Sequence, residues 1–327
     1  MIATTLGNTG LAVTRIGLGL AALGRPAYIT LGRDDDLGPE RDSATMQQRC
    51  HDILDLAYRA GVRYVDAARS YGRAEEFLAS WLASRPIAPD AITVGSKWGY
   101  RYVGDWDMAA AVHEIKDHSL AMFRDQLAQS TALLGPHLDL YQVHSATLES
   151  GVLDDRAVLH ALAELVDNGV TVGLTVSGPR QADVVRHALE LGVEAANPFS
   201  TVQATWNVLE PSVGPALVEA RARGWGVLVK EALANGRLTG WGHDRRTSAL
   251  EDVAARHGAS VDQVAIAAAL GQPWADVVLS GPVTAAQLES NLTALELTLS
   301  DEDWERLASV VEDPTDYWDR RSALPWS

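Results

Sequence analysis

Asp66, Tyr71, Lys97 and His144 are four residues whose types, taken together, could move a proton. A tyrosine hydroxyl with an ordinary pKa of about 10 is a poor acid or base at neutral pH unless a nearby cation stabilises the phenolate. Lys97 could supply that cation. A buried ammonium is costly unless a carboxylate pairs with it, and Asp66 is the carboxylate on offer. His144 could then hydrogen-bond a carbonyl oxygen and orient it. Singly, each has an ordinary structural reading: Asp66 as a helix N-cap, Lys97 as a surface cation, His144 as a satisfied core histidine. Together they form a relay suited to carbonyl reduction.

Such a relay needs elements that bring positions 66, 71, 97 and 144 to one place. The chain alternates short apolar or β-branched runs with longer segments of helical period throughout its 327 residues. Eight strands are predicted, at 15–20, 63–66, 92–97, 138–144, 170–177, 201–205, 226–230 and 277–281. Each is followed by a helical stretch: 43–60, 75–83, 119–134, 156–168, 180–191, 214–223, 248–270 (one helix or two) and 284–295. Eight strand–helix units without a Pro/Gly/Ser-rich linker favour a closed (β/α)8 TIM barrel over an open doubly wound sheet, as one domain over residues 1–327. In such a barrel functional groups sit at the strand ends, where Asp66, Lys97 and His144 fall, with Tyr71 in the loop after Asp66. Thr4 to Leu6 and Leu11 to Val13, around Asn8-Thr9-Gly10, read as a β-hairpin that could plug the barrel floor. Residues 25–42 and 99–117 read as extended loops.

Composition bounds the function. Hydrophobic residues at 47% and charged residues at 21% describe a chain able to bury a large core. With 43 Asp plus Glu against 27 Lys plus Arg, the net charge of −16 opposes nucleic acid and anionic membranes as partners. No apolar run approaches the ~20 residues of a membrane span, and Met1-Ile2-Ala3 leads into sequence without a basic n-region. The single Cys50 allows no intramolecular disulfide, so a reducing, cytoplasmic location is expected. The nine histidines form no metal pattern, and no metal is expected. Gly17-Leu18-Gly19-Leu20-Ala21-Ala22 spells G-x-G-x-x-A, but Arg25-Pro26 follows where a Rossmann site would open a helix, so it reads as a decoy.

The sequence resembles the aldo-keto reductase family along nearly its whole length. The resemblance is carried by 6-LGNTGL-11 running into 16-IGLG-19, by 61-GVRYVDAARSYG-72 with Glu75, and by Ser96-Lys97. It continues in 139-DLYQVH-144, 203-QATWN-207, 236-GRLTG-240, and Ser280-Gly281 followed by Gln287, Leu288 and Asn291. It implies a nicotinamide cofactor bound without a Rossmann fold and a catalytic tetrad of Asp66, Tyr71, Lys97 and His144, with Tyr71 as general acid, Lys97 and Asp66 tuning it, and His144 orienting the carbonyl. It further implies that Gly19, Asp66 and Gly281 lie at the cofactor, that Ser177 and Gln203 bind its carboxamide, and that Trp206 stacks on the nicotinamide ring. Leu233, Gly236, Arg237 and Leu238 would belong to the loop over the pyrophosphate, whose backbone amides bind it, and Gln287 and Asn291 would meet adenine.

Departures from the family pattern are informative. A basic residue commonly clamps the 2′-phosphate of NADP where this chain has Val283, and an apolar side chain cannot do so. NADP (NADPH) is expected from family frequency, held by Arg237, Arg245, Arg246 or by Thr284 and backbone amides, with NAD the alternative. Trp98, Tyr100 and Trp106, with Trp318 from the C-terminal tail, are expected to line the substrate pocket, together with Tyr102, Tyr317 and Trp326. Aromatic walls suit both sugars and flat carbonyl compounds, so the small-molecule substrate is a carbonyl compound or a sugar. The rival readings are an NAD-dependent sugar or polyol dehydrogenase and a cofactor-sensing regulatory protein that does no chemistry; the complete tetrad opposes the latter. Oligomeric state leaves no mark on this pattern, since monomer and oligomer share it.

Overall fold

The computed structural model describes residues 3–191, 197–242 and 248–326. An antiparallel hairpin, β1 (Ala3–Thr5) and β2 (Ala12–Thr14), precedes the barrel. The barrel strands are β3 (Ile16–Gly19), β4 (Tyr64–Asp66), β5 (Thr93–Trp98), β8 (Leu138–Ala146), β9 (Thr171–Val176), β10 (Thr201–Thr205), β11 (Gly226–Lys230) and β12 (Val277–Ser280). Between β5 and β8 the chain adds a second hairpin, β6 (Tyr100–Tyr102) with β7 (Glu114–Lys116). The eight barrel strands are parallel and close in chain order, with β12 pairing back to β3. Their bounds differ from the sequence expectation by at most two residues.

The helices are α1 (Arg33–Leu37), α2 (Ser43–Arg59), α3 (Ala74–Ser84), α4 (Leu120–Leu134), α5 (Arg156–Asp167), α6 (Gln181–Glu190), α7 (Gly214–Ala222), α8 (Ser248–His257), α9 (Val261–Leu270), α10 (Ala285–Thr293), α11 (Asp301–Leu307) and α12 (Pro314–Ser322). The stretch 248–270 thus forms two helices. α2 shows why these segments are helical. The Asp42 carboxylate caps it by accepting from the Ala44 and Thr45 amides, and its buried residues Met46, Cys50, Ile53, Leu54 and Ala57 recur at helical spacing. Cys50 is part of that stripe, and burial pushes its thiol up to about 12, which marks it as core rather than nucleophile. No helix among the described residues is long and apolar enough to cross a membrane.

Two layers of core result. The larger lies between strands and helices; the smaller fills the barrel's lower end with Leu6, Val13, Tyr64, Leu140, Leu228 and Val277. The first hairpin therefore stoppers the floor. Asp276 fastens it there, its Oδ2 accepting from the amides of Gly7 on the hairpin and Val227 on β11. Inside the barrel the Tyr64 ring needs room from its neighbours. A Cβ on Gly95 would stand 2.4 Å from the Tyr64 hydroxyl, so that hydroxyl reaches Asp66 only because β5 carries a glycine here.

Candidate active site

β4 ends on Asp66, β5 presents Lys97, β8 presents His144, and the turn before α3 supplies Tyr71. The Lys97 ammonium donates to Asp66 Oδ2, to the Ala67 carbonyl at 3.0 Å and to the Tyr71 hydroxyl oxygen at 3.2 Å. Three N–H groups thus meet three acceptors. Asp66 Oδ1 accepts from the Tyr64 hydroxyl at 3.1 Å and from Gln203 Nε2 at 3.0 Å, so the carboxylate is held on both oxygens. Because the tyrosine oxygen accepts from Lys97, its own proton is left for an acceptor in the cavity.

Burial first, and then Asp66, push the Tyr71 hydroxyl well above its ordinary range, with Arg25 opposing. At rest Tyr71 therefore keeps its proton as a phenol, the form a proton donor needs. Lys97 is itself lowered by burial, against the pull of Asp66. Burial, then Lys97, Lys230 and Arg25, press His144 well below its ordinary value, so its imidazole is neutral.

These groups stand at a cavity of about 700 Å³, within the size range of small-molecule and cofactor sites. Asp66, Tyr71, His144, Ser177 and Gln203 share its wall, as do Gly19, Gly281 and Tyr100. Leu233, Gly236, Val283, Gln287 and Asn291 line it as well. Lys97 sits directly behind Tyr71, almost fully buried. Gln203 spends its Nε2 on Asp66, leaving Oε1 as the atom that can meet an amide N–H.

Other expected contacts do not reach the cavity wall. Trp98 is fully buried and packs against His118 and Phe123, because the residue after inward-facing Lys97 on a strand points outward. Trp206 follows the same alternation from Gln203 and lies edge-on to Trp274, away from any ring stacked in the cavity. Trp106 packs on Phe77 and donates its indole N–H to the Arg41 carbonyl. Trp318 turns its N–H toward Glu210. Arg237 is paired with Glu312, and Leu238 is fully buried. In the loop after β11 the amides of Ala234, Gly236, Arg237 and Leu238 donate within the loop itself, which narrows the expected set of phosphate donors. Arg245 and Arg246 lie outside the described residues.

Several wall residues escaped the sequence reading. Lys230 closes β11; its ammonium donates to Thr205 Oγ1 at 2.6 Å and Ser177 Oγ at 3.2 Å. Glu231 follows it and is held by Arg321, with Nε 2.9 Å from Oε2. The signal was present, since Lys230 is a charged residue at a strand end, the same criterion that selects Lys97. Arg25, from the loop after β3, donates to Glu114 at 2.6 Å and to the Ser70 carbonyl, and its guanidinium lies over the rings of Tyr28, Tyr71 and Trp326. The expected loops 25–42 and 99–117 thus contain α1 and the β6–β7 hairpin, and both shape the cavity.

The cavity's donors and acceptors fit a dinucleotide. Asn235 Oδ1 is buried on its wall without a partner among the described residues, an acceptor awaiting a donor. Ser177 and Gln203 Oε1 face it beside Tyr71. Among the described residues no group of three His, Cys, Asp or Glu side chains could hold a metal ion.

A family model described as Aldo/keto reductase family matches residues 15–312. An NADH-specific methylglyoxal reductase of Escherichia coli is 23% identical over 341 residues, covering 94% of this chain and 97% of its own. A pyridoxal 4-dehydrogenase of Microbacterium luteolum is 24% identical, covering 93% and 96% respectively. Among solved structures, the holo form of an aldo-keto reductase from Bacillus halodurans is 20% identical, covers 96% of this chain and 97% of that chain, and has a TM-score of 0.69.

Proposed function

Because the chain belongs to the aldo/keto reductase family of oxidoreductases, we propose that it reduces an aldehyde or ketone of a small molecule, with Tyr71 as general acid. The carrying observation is the fully committed ammonium of Lys97, which leaves the Tyr71 proton as the one available to a substrate oxygen. When bound, a reduced nicotinamide supplies the hydride that the carbonyl carbon accepts. The Tyr71 O–H bond breaks as its proton passes to the carbonyl oxygen. Lys97, fixed by Asp66 and the Ala67 carbonyl, stabilises the phenolate left behind, and a proton from solvent restores the phenol. Neutral His144 donates to the same carbonyl oxygen and sets its angle to Tyr71. Ser177 and Gln203 would hold the carboxamide, and Asn235 lies farther along the wall.

Arg25, Glu114, Glu231 and Arg321 line the same cavity as Tyr100 and Trp326. Paired charges with aromatic faces suit a polar carbonyl compound, including a sugar. Run backwards, the same groups would serve the oxidation of an alcohol, with deprotonated Tyr71 taking the hydroxyl proton and a bound oxidised nicotinamide supplying the acceptor for the hydride. A cytoplasmic setting accords with the one buried cysteine.

The test is Tyr71→Phe. Turnover of model aldehydes should fall at least ~10²-fold, while quenching of tryptophan fluorescence by reduced nicotinamide dinucleotide persists. Turnover near the wild-type rate in this variant would remove Tyr71 from the role.

A further inference from the structure

We propose that Asp36 makes this cavity select NAD(H) over NADP(H), its carboxylate accepting a ribose 2′-hydroxyl and repelling a 2′-phosphate; the inference rests on the nicotinamide reading above. The relevant end of the cavity is where Gly281, Pro282, Val283 and Gln287 lead into α10. A helix N-terminus would ordinarily offer amides to a phosphate. Here the side chains of the first turn take some of them: Gln287 Oε1 accepts from the Val283 amide at 2.8 Å and the Thr284 amide at 3.3 Å, and Thr284 Oγ1 accepts from the Gln287 amide, closing a capping box. Gln287 Nε2 then donates to Asp36 Oδ2 at 2.6 Å, which fixes the carboxylate on the cavity wall. Its neighbours Asp34 and Asp35 are exposed, and Asp34 pairs with Arg41, so only Asp36 of the three is drawn inward.

Among the described residues, the cations near this end of the cavity are committed to other partners. The Val283 side chain is apolar, and Asp262 adds a second carboxylate to the same wall. Arg33 is buried and gives its guanidinium to the carbonyls of Ala22, Arg25 and Pro26, while Arg237 faces Glu312. A carboxylate is a good acceptor for a ribose hydroxyl and a poor neighbour for a phosphate dianion, and other dinucleotide sites use an acidic residue for the same discrimination. Selection here would come from the α1 segment, because the position that commonly carries the basic clamp holds a valine.

The experiment is titration of the whole protein with NADH and, separately, NADPH, followed by tryptophan fluorescence; Trp241, on the cavity wall and 44% exposed, gives a signal independent of turnover. Wild type should bind NADH at least tenfold tighter than NADPH. Asp36→Asn, nearly isosteric and able to keep its bond to Gln287, should shrink that ratio at least tenfold, and D36N/V283R should turn it toward NADPH. Equal or tighter binding of NADPH by wild type overturns the proposal, as does an unchanged ratio in a folded Asp36→Asn protein. Tight NADPH binding that is lost in R245A/R246A would transfer cofactor choice to that segment and also overturn it. Quenching by neither dinucleotide would take down the nicotinamide reading and this inference with it, whereas NADH binding with an Asp36-independent ratio removes the inference alone.

Discussion

Ser70 Oγ stands 3.3 Å from His144 Nδ1. The serine is fully buried and its hydroxyl has no other hydrogen bond among the described residues, so its proton finds an acceptor only if Nδ1 is bare. The imidazole proton then resides on Nε2. Histidine-selective 15N spectra should show His144 as this neutral tautomer at neutral pH and still at pH 5.5, since burial and its cationic neighbours lower its pKa. Ser70→Ala should mix the tautomers and reduce kcat/KM about fivefold, the equivalent of one hydrogen bond of about 1 kcal/mol. An imidazolium signal for His144 at pH 6.5 would contradict this account.

The Lys97–Asp66 pair is buried on both sides, with side-chain exposures of 0% and 3%. Removing one partner of such a pair leaves an uncompensated charge and typically costs about 3–5 kcal/mol. Lys97→Met should therefore lose stability of that order in urea unfolding as well as nearly all turnover. D66N/K97M should regain much of the stability and none of the activity. If the double variant is as unstable as the sum of the singles, the two groups are not coupled.

Lys230 titrates in an unusual range, because burial lowers it to about 8, with Glu231 opposing and Arg321 and Lys97 adding to the fall. Its folded pKa lies below its unfolded value, so between pH 8 and about 10.4 the unfolded chain binds more protons and this group's contribution makes stability rise with pH. Stability of wild type relative to Lys230→Met should accordingly improve from pH 8 to pH 10, as measured by urea unfolding at each pH. A difference that stays flat or moves the other way would place the Lys230 pKa near that of an ordinary lysine.

How much of this was legible beforehand follows from where periodicity exists. On strands, alternation and β-branched runs mark both the element and the inward residue, which is why Asp66, Lys97, His144 and Gln203 could be named. The same alternation, applied strictly, would have turned Trp98 and Trp206 outward and Lys230 inward, since Lys230 lies two residues beyond Leu228 of the barrel interior. Beyond the strand ends the chain has no period to read. The inward turn of Asp36 depends on a hydrogen bond to a residue 251 positions away, and the place of Arg25 on contacts from Glu114 and Trp326; local sequence encodes neither.

The hairpin packs Leu6 and Val13 into the lower end of the barrel, while Tyr71 and His144 face the cavity. Trp326 lines that cavity, stacked on His113 at 4.2 Å between ring centres and lying against Arg25. With the floor packed shut by side chains, whatever reaches Tyr71 comes through the cavity, and of two molecules lodged one behind the other there, the outer one would hold the inner one in place.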